Sequence, residues 1–144
     1  MISYHNGDLL ESGCDIICHQ VNLQGVMGGG LALQIAIKYP DCERVYKEYL
    51  DKHKGGQVLF YILDKHHLIA NCFSQNKDFT TNYEWVKSCF SSILKMAKQE
   101  KLKTIGVPFK YGCGIASGDW NKVEQIFKDI FKNQTDIEFQ IWKL

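Results

Sequence analysis

Two glycine clusters, a histidine and an asparagine are the residues of this chain whose types and spacing could do chemistry. His19-Gln20-Val21-Asn22 leads through Leu23 to Met27 into Gly28-Gly29-Gly30, and a second loop reads Tyr111-Gly112-Cys113-Gly114-Ile115-Ala116. Consecutive glycines carry an entropic cost, so a backbone that keeps them must take unusual dihedrals or be approached closely. Just ahead of a helix they add free N–H groups and the positive end of the helix dipole, a setting suited to phosphate; the alternative is a tight turn packed on a sheet. Two such loops facing each other suit a diphosphate better than a single phosphate. A dinucleotide fingerprint would need glycine where Leu33 stands, and a P-loop would need Gly-Lys-Ser/Thr, which is absent. His19, at a strand end, could serve as an acid or base because imidazole titrates near neutrality, or it could simply pack. Cys113 has no His or Asp neighbour in sequence to activate it as a nucleophile.

The elements that must hold these residues follow from hydrophobic periodicity. Ile2–His5 reads as a short strand ended by Gly7-Asp8, where Asp8 can make an Asx turn, and Cys14–Val21 as a strand that delivers Asn22 to its loop. Leu31–Tyr39, with only Gln34 and Lys38 polar, reads as a buried helix, and Asp41 can cap a second helix up to Leu50. Gln57–Leu63, apolar on both faces, reads as an inner strand paired antiparallel with His67–Phe73. Thr81-Asn82-Tyr83-Glu84 is a capping-box pattern opening a long helix. Thr104–Phe109 is a further inner strand, Ser117 or Asp119 can cap the next helix, and Ile137, Phe139 and Ile141 alternate in a last strand. Strands and helices interleave without repeats or linkers, which predicts one domain, residues 1–144, built as a three-layer α/β/α sandwich around a mixed, mostly parallel central sheet. Both glycine loops then fall beyond carboxyl ends of strands, where ligands bind in such sheets.

The chain has 144 residues, 45% hydrophobic, with 17 basic and 16 acidic side chains for a net charge of +1. That balance and the absence of a lysine stripe argue against strong nucleic-acid binding. No apolar run approaches the ~20 residues of a membrane span, and no leader pattern opens the sequence, so a cytoplasmic protein with no membrane association is expected. Six cysteines without a CxxC pair fit reduced thiols rather than a zinc site, and no metal is expected.

Taken together, Gly7-Asp8, Asn22 with the loop to Gly28-Gly29-Gly30, and the second loop resemble the ADP-ribose site of a macrodomain. The resemblance is greatest to the terminal ADP-ribose glycohydrolase-type and phage or toxin–antitoxin branch, and it spans nearly the whole chain. It implies that Asp8 and Leu9 lie by the adenine. By the same resemblance Gln20, Asn22, Val26, Met27, Gly28, Gly29, Gly30 and Leu31, with Tyr111, Gly112, Cys113, Gly114, Ile115 and Ala116, clasp the pyrophosphate and second ribose. His19 and Asn22 are the candidates for catalysis. The glycohydrolase members use a lysine nucleophile and an aspartate two residues after the G-C-G of the second loop; here that position is Ala116, and Lys77 matches the lysine under neither alignment, one of which puts its place near Cys72 and the other near Gln75. The expectation is therefore a monomer, without cofactor, that binds ADP-ribose or an ADP-ribosylated substrate and hydrolyses ADP-ribose derivatives; alternatives are a non-catalytic ADP-ribose-binding module and an RNA-associated domain with Tyr111 and Trp120 as stacking platforms.

Overall fold

The computed structural model describes residues 1–144. Six strands form one sheet: β1 (Ile2–Asn6), β2 (Ile16–Val21), β3 (Val58–Asp64), β4 (His67–Phe73), β5 (Thr104–Pro108) and β6 (Glu138–Lys143). Their order is β1-β6-β5-β2-β4-β3, every neighbouring pair parallel except β3 with β4. Four helices, α1 (Gly30–Lys38), α2 (Pro40–Glu48), α3 (Tyr83–Gln99) and α4 (Trp120–Phe131), complete the expected α/β/α sandwich. Because side chains alternate across a strand, β2 feeds both layers: Ile16 and Cys18 join the α3–α4 core, Ile17 and Val21 the α1–α2 core. In the first core Phe90 packs edge-on to Phe127, Tyr111 and Phe139. The six cysteines are free thiols, five of them buried. No helix is long and apolar enough to cross a membrane.

Several elements differ from the sequence expectation. β3 lies at the sheet edge rather than inside; it is apolar on both faces because α2 and α3 each reach it, and its Ile62 stays 70% exposed. Helix α1 is not buried: only Ile35 is fully covered, while Leu33 and Ile37 turn outward, since the helix packs against β2 and α2 and leaves its remaining face exposed. β2 starts at Ile16, and the carboxylate of Asp15 instead accepts from the amides of Lys103 and Thr104. Tyr39, followed by Pro40, starts α2, which leaves Asp41 inside its first turn. Asn82, not Thr81, caps α3 by accepting from Trp85 N, because the Thr81 hydroxyl is engaged elsewhere.

The sheet order also sets the order of the loops. β1, β6, β5, β2 and β4 run in one direction, so the segments leaving their carboxyl ends line one edge of the sheet in that order. Asp8 follows β1, the second glycine loop follows β5, the first follows β2, and residues 74–81 follow β4.

Candidate functional site

A cavity of about 610 Å³ opens at that edge, walled on one side by Gly28, Gly29, Gly30 and Leu31 and on the other by Gly112, Gly114, Ile115 and Ala116. The amides of Gly28, Gly29, Gly114, Ile115 and Ala116 donate to no protein acceptor, so free N–H groups stand on both sides of one space. A second cavity of about 360 Å³ adjoins it through Gly30, Leu31, Pro108 and Phe109, and is lined by Asp8, Leu9 and Trp142. Together they form a cleft sized for a dinucleotide-like ligand. Asp8 is its only side-chain carboxylate. The Asp8 side chain meanwhile makes the Asx-type bond to Leu10 N at 2.9 Å.

The first loop is shaped by Asn22, which is buried. Its Oδ1 accepts from Gln24 N and Val26 N, its Nδ2 donates to Val26 O, and the Tyr46 hydroxyl on α2 reaches both its carbonyl and its Oδ1. The side chain therefore caps its own loop and keeps one amide hydrogen for a ligand. Burial pushes the Tyr46 phenol up to about 12, so it stays a donor.

The second loop hangs on Thr81. Its Oγ1 donates to Gly112 O at 2.6 Å and accepts from Gln20 Nε2, while Thr81 N bonds Ala116 O. Gly112 takes φ +69, and a Cβ on Gly118 would sit 2.4 Å from Gly112 O, so the loop folds back on itself where only glycine fits. Asp119, not Ser117, caps α4.

His19 lies beneath the first loop, 1% exposed, with Nε2 2.6 Å from Asn71 Oδ1. Asn71 Nδ2 donates to Leu59 O, which turns the amide oxygen toward the ring and assigns the proton to Nε2. Nδ1 is left as a buried lone pair without a donor. Burial pushes the imidazole down to about 4, against a smaller upward pull from Asn71, so the ring is neutral near pH 7.

Of the residues expected from the sequence, His19, Gln20, Asn22, Val26, Gly28, Gly29, Gly30, Leu31, Tyr111, Gly112, Gly114, Ile115 and Ala116 line the larger cavity, and Asp8 and Leu9 the smaller. Met27 and Cys113 line neither. Met27 is 3% exposed in the α1–α2 core, and Cys113 points its thiol at Tyr111 O against the opposite core, with burial raising its pKa. Tyr111 contributes to the cavity wall with its ring buried edge-on against Phe90, and Trp120 is half-buried and packs edge-on with Phe109. Lys77 is exposed and outside the cavity; Gln75 lines it, held by its Nε2 on Gln20 Oε1 and with its own Oε1 unpaired. Phe79, Phe109 and Lys110 also line it and were not singled out by spacing, because no local pattern marks a wall residue contributed by a distant loop.

A family model for the Macro domain matches residues 18–127. The chain belongs to the macrodomain family. It is 25% identical over 150 residues to a DNA ADP-ribosyl glycohydrolase of Mycobacterium tuberculosis, covering 99% of this macrodomain and 42% of that protein. The chain thus spans less than half the length of that relative. It is 29% identical over 147 residues to an ADP-ribose 1''-phosphate phosphatase of Lodderomyces elongisporus, covering 87% and 89% of the two chains. Among solved structures, the macrodomain of Mycobacterium tuberculosis DarG superposes with a TM-score of 0.88 at 25% identity, covering 99% of this chain and 97% of that one. Thermosipho africanus DarTG in complex with ADP-ribose matches with a TM-score of 0.83 at 23% identity, covering 96% of this chain and 40% of that one.

Proposed function

We propose that this macrodomain binds ADP-ribose in the cleft and hydrolyses ADP-ribose derivatives, either ADP-ribose 1''-phosphate or ADP-ribosyl adducts on macromolecules. The observation that carries the reading is the pair of glycine loops whose free amides oppose each other across one cavity. The pyrophosphate lies between them, the adenine reaches Asp8 and Leu9 in the adjoining cavity, and the second ribose lies toward Asn22, Gln20 and Gln75. The names of the relatives support the same ligand.

Hydrolysis without an adduct on Lys77 follows from that residue's place outside the cavity wall. Water adds to C1'' of the second ribose, the bond from C1'' to the leaving group breaks with its electron pair going to that group, and the water proton is accepted by His19 Nδ1, a buried nitrogen without a donor on a residue that lines the cavity. A neutral imidazole is no acid at pH 7, no carboxylate lines the larger cavity, and the Lys110 ammonium in its wall favours negative charge, so the leaving group departs as a stabilised anion such as phosphate, carboxylate or a ring imide. Positioning by the two loops supplies the remainder. The six unpaired thiols fit action in a reducing compartment such as the cytoplasm.

A binding module without turnover is the second reading, favoured by Ala116 and Gln75 standing where the hydrolytic members resembled by this chain carry aspartate and, under one alignment, lysine. A panel of ADP-ribose 1''-phosphate, O-acetyl-ADP-ribose, protein modified on acidic side chains and DNA modified on a base, assayed for released ADP-ribose, separates them. Release from at least one supports hydrolysis; tight binding of free ADP-ribose with release from none supports the module.

A further inference from the structure

Two ammonium groups meet at one aromatic ring where the two cavities join. Phe109 lines both cavities, Lys110 the larger and Lys143 the smaller. Lys110 Nζ lies 5.7 Å and Lys143 Nζ 5.2 Å from the centroid of the Phe109 ring, within reach of a cation–π attraction. Both lysines are exposed, and neither forms an ion pair, whereas Lys38, Arg44, Lys47 and Lys128 each sit against a carboxylate. The backbone of Lys110 stands at φ +60, a left-handed conformation that glycine takes freely and lysine rarely adopts. It is held there by the turn in which Tyr111 N bonds Pro108 O and Cys113 N bonds Lys110 O. The turn itself favours glycine, so it gives no reason for a cationic side chain at this point of the cleft.

The sheet order says what the two cations would meet. β6 lies between β1 and β5, so Lys143, its last residue, stands between Asp8 and the second glycine loop, and Lys110 opens that loop. On the ADP-ribose reading, on which this inference rests, the adenine lies by Asp8 and the pyrophosphate between the glycine loops. The adenosine ribose that joins them therefore crosses the seam beside Phe109 and both lysines. The hydroxyls of that ribose are neutral and leave two gathered like charges unbalanced. A phosphate monoester, with a charge of about −2 near neutral pH, balances both. In dinucleotide sites of another fold a cationic side chain beside the same ribose is what accommodates a 2'-phosphate. We propose that Lys110 and Lys143 form a phosphate subsite beside the adenosine ribose, so that the cleft prefers ADP-ribose carrying a phosphate on the 2'-hydroxyl of that ribose over ADP-ribose itself.

The test is calorimetric titration of ADP-ribose 2'-phosphate and of ADP-ribose into the wild type, Lys143→Gln, Lys143→Arg and the double variant Lys110→Gln/Lys143→Gln. The readout is the ratio of the two affinities, because a loss of positive potential at the pyrophosphate weakens both ligands alike. The wild type should bind the 2'-phosphate form about tenfold more tightly, a ratio that shrinks as salt is raised. Lys143→Gln should lower the ratio to about 3 and the double variant to about 1, while Lys143→Arg, which keeps the charge, should retain it. Both side chains are exposed, so melting temperatures should stay within about 1 °C of the wild type. A wild-type ratio of 1 or less, or a ratio unchanged in the double variant, overturns the subsite and leaves the ADP-ribose reading intact. A wild-type protein that binds neither ligand removes the ADP-ribose reading itself, and the subsite with it.

Discussion

The hydroxyl of Tyr46 lies 2.6 Å from the carbonyl oxygen of Asn22 and 2.8 Å from its Oδ1, so one buried phenol on α2 fixes both the backbone and the side chain that shape the first glycine loop. Tyr46→Phe keeps the packing and leaves Asn22 O buried without that donor, a loss of about 1–3 kcal/mol. Thermal unfolding should show that loss, and calorimetry should show ADP-ribose affinity down by about tenfold as the loop relaxes. Unchanged affinity would mean that the loop holds its shape without α2.

His19 makes stability depend on pH with a defined sign. Its ring titrates at about 4 in the folded chain against a model-compound value of 6.5, so the unfolded state binds the proton more readily. The folded state is favoured above 6.5 and loses up to about 3 kcal/mol as pH falls through the window down to about 4. Denaturant midpoints taken from pH 7 to pH 4 should fall for the wild type and fall less steeply for His19→Gln. In the assay His19→Ala should cost about 10²-fold in rate if Nδ1 accepts the water proton, and little if the ring only packs.

The second loop separates two glycines that look alike in sequence. A Cβ on Gly118 would collide with Gly112 O, whereas one on Gly114 meets nothing within 4 Å. Gly118→Ala should lower both the melting temperature and ADP-ribose affinity. Gly114→Ala should leave the melting temperature within about 1 °C, in keeping with the small effect of surface changes away from such contacts, and change affinity alone, since its methyl enters the space reserved for ligand.

Lys77 is exposed, and the wall position belongs to Gln75. Lys77→Ala should retain most of any hydrolytic activity, and borohydride should trap no adduct. A trapped adduct on Lys77 with an inactive Lys77→Ala variant would establish the covalent mechanism.

What the sequence made legible is what local pattern encodes. Periodicity found every strand and helix, and the strand–glycine–helix order located both loops. Burial and lateral neighbours were harder to read. Leu33 and Ile37 sit in an apolar run yet face outward, because how far a neighbouring element covers a helix is a tertiary fact. Thr81 looked like a helix cap, but its hydroxyl is taken by Gly112, 31 residues away. Phe79 and Tyr46 carry no motif at all; a left-handed φ and a phenol bonded across 24 residues are visible only once the chain is folded.

The cleft's function is tested most directly by calorimetric titration of ADP-ribose and AMP into the wild type and Gly29→Glu. Gly29 has an ordinary extended backbone, and its Cβ position is 3.4 Å from Ile115 Cδ1, so the variant should fold while its carboxylate enters the phosphate site. The expected result is micromolar ADP-ribose binding, about −8 kcal/mol, much weaker AMP binding, and no ADP-ribose binding by the folded variant. Equal affinity for the two ligands, or ADP-ribose affinity retained in folded Gly29→Glu, would contradict it.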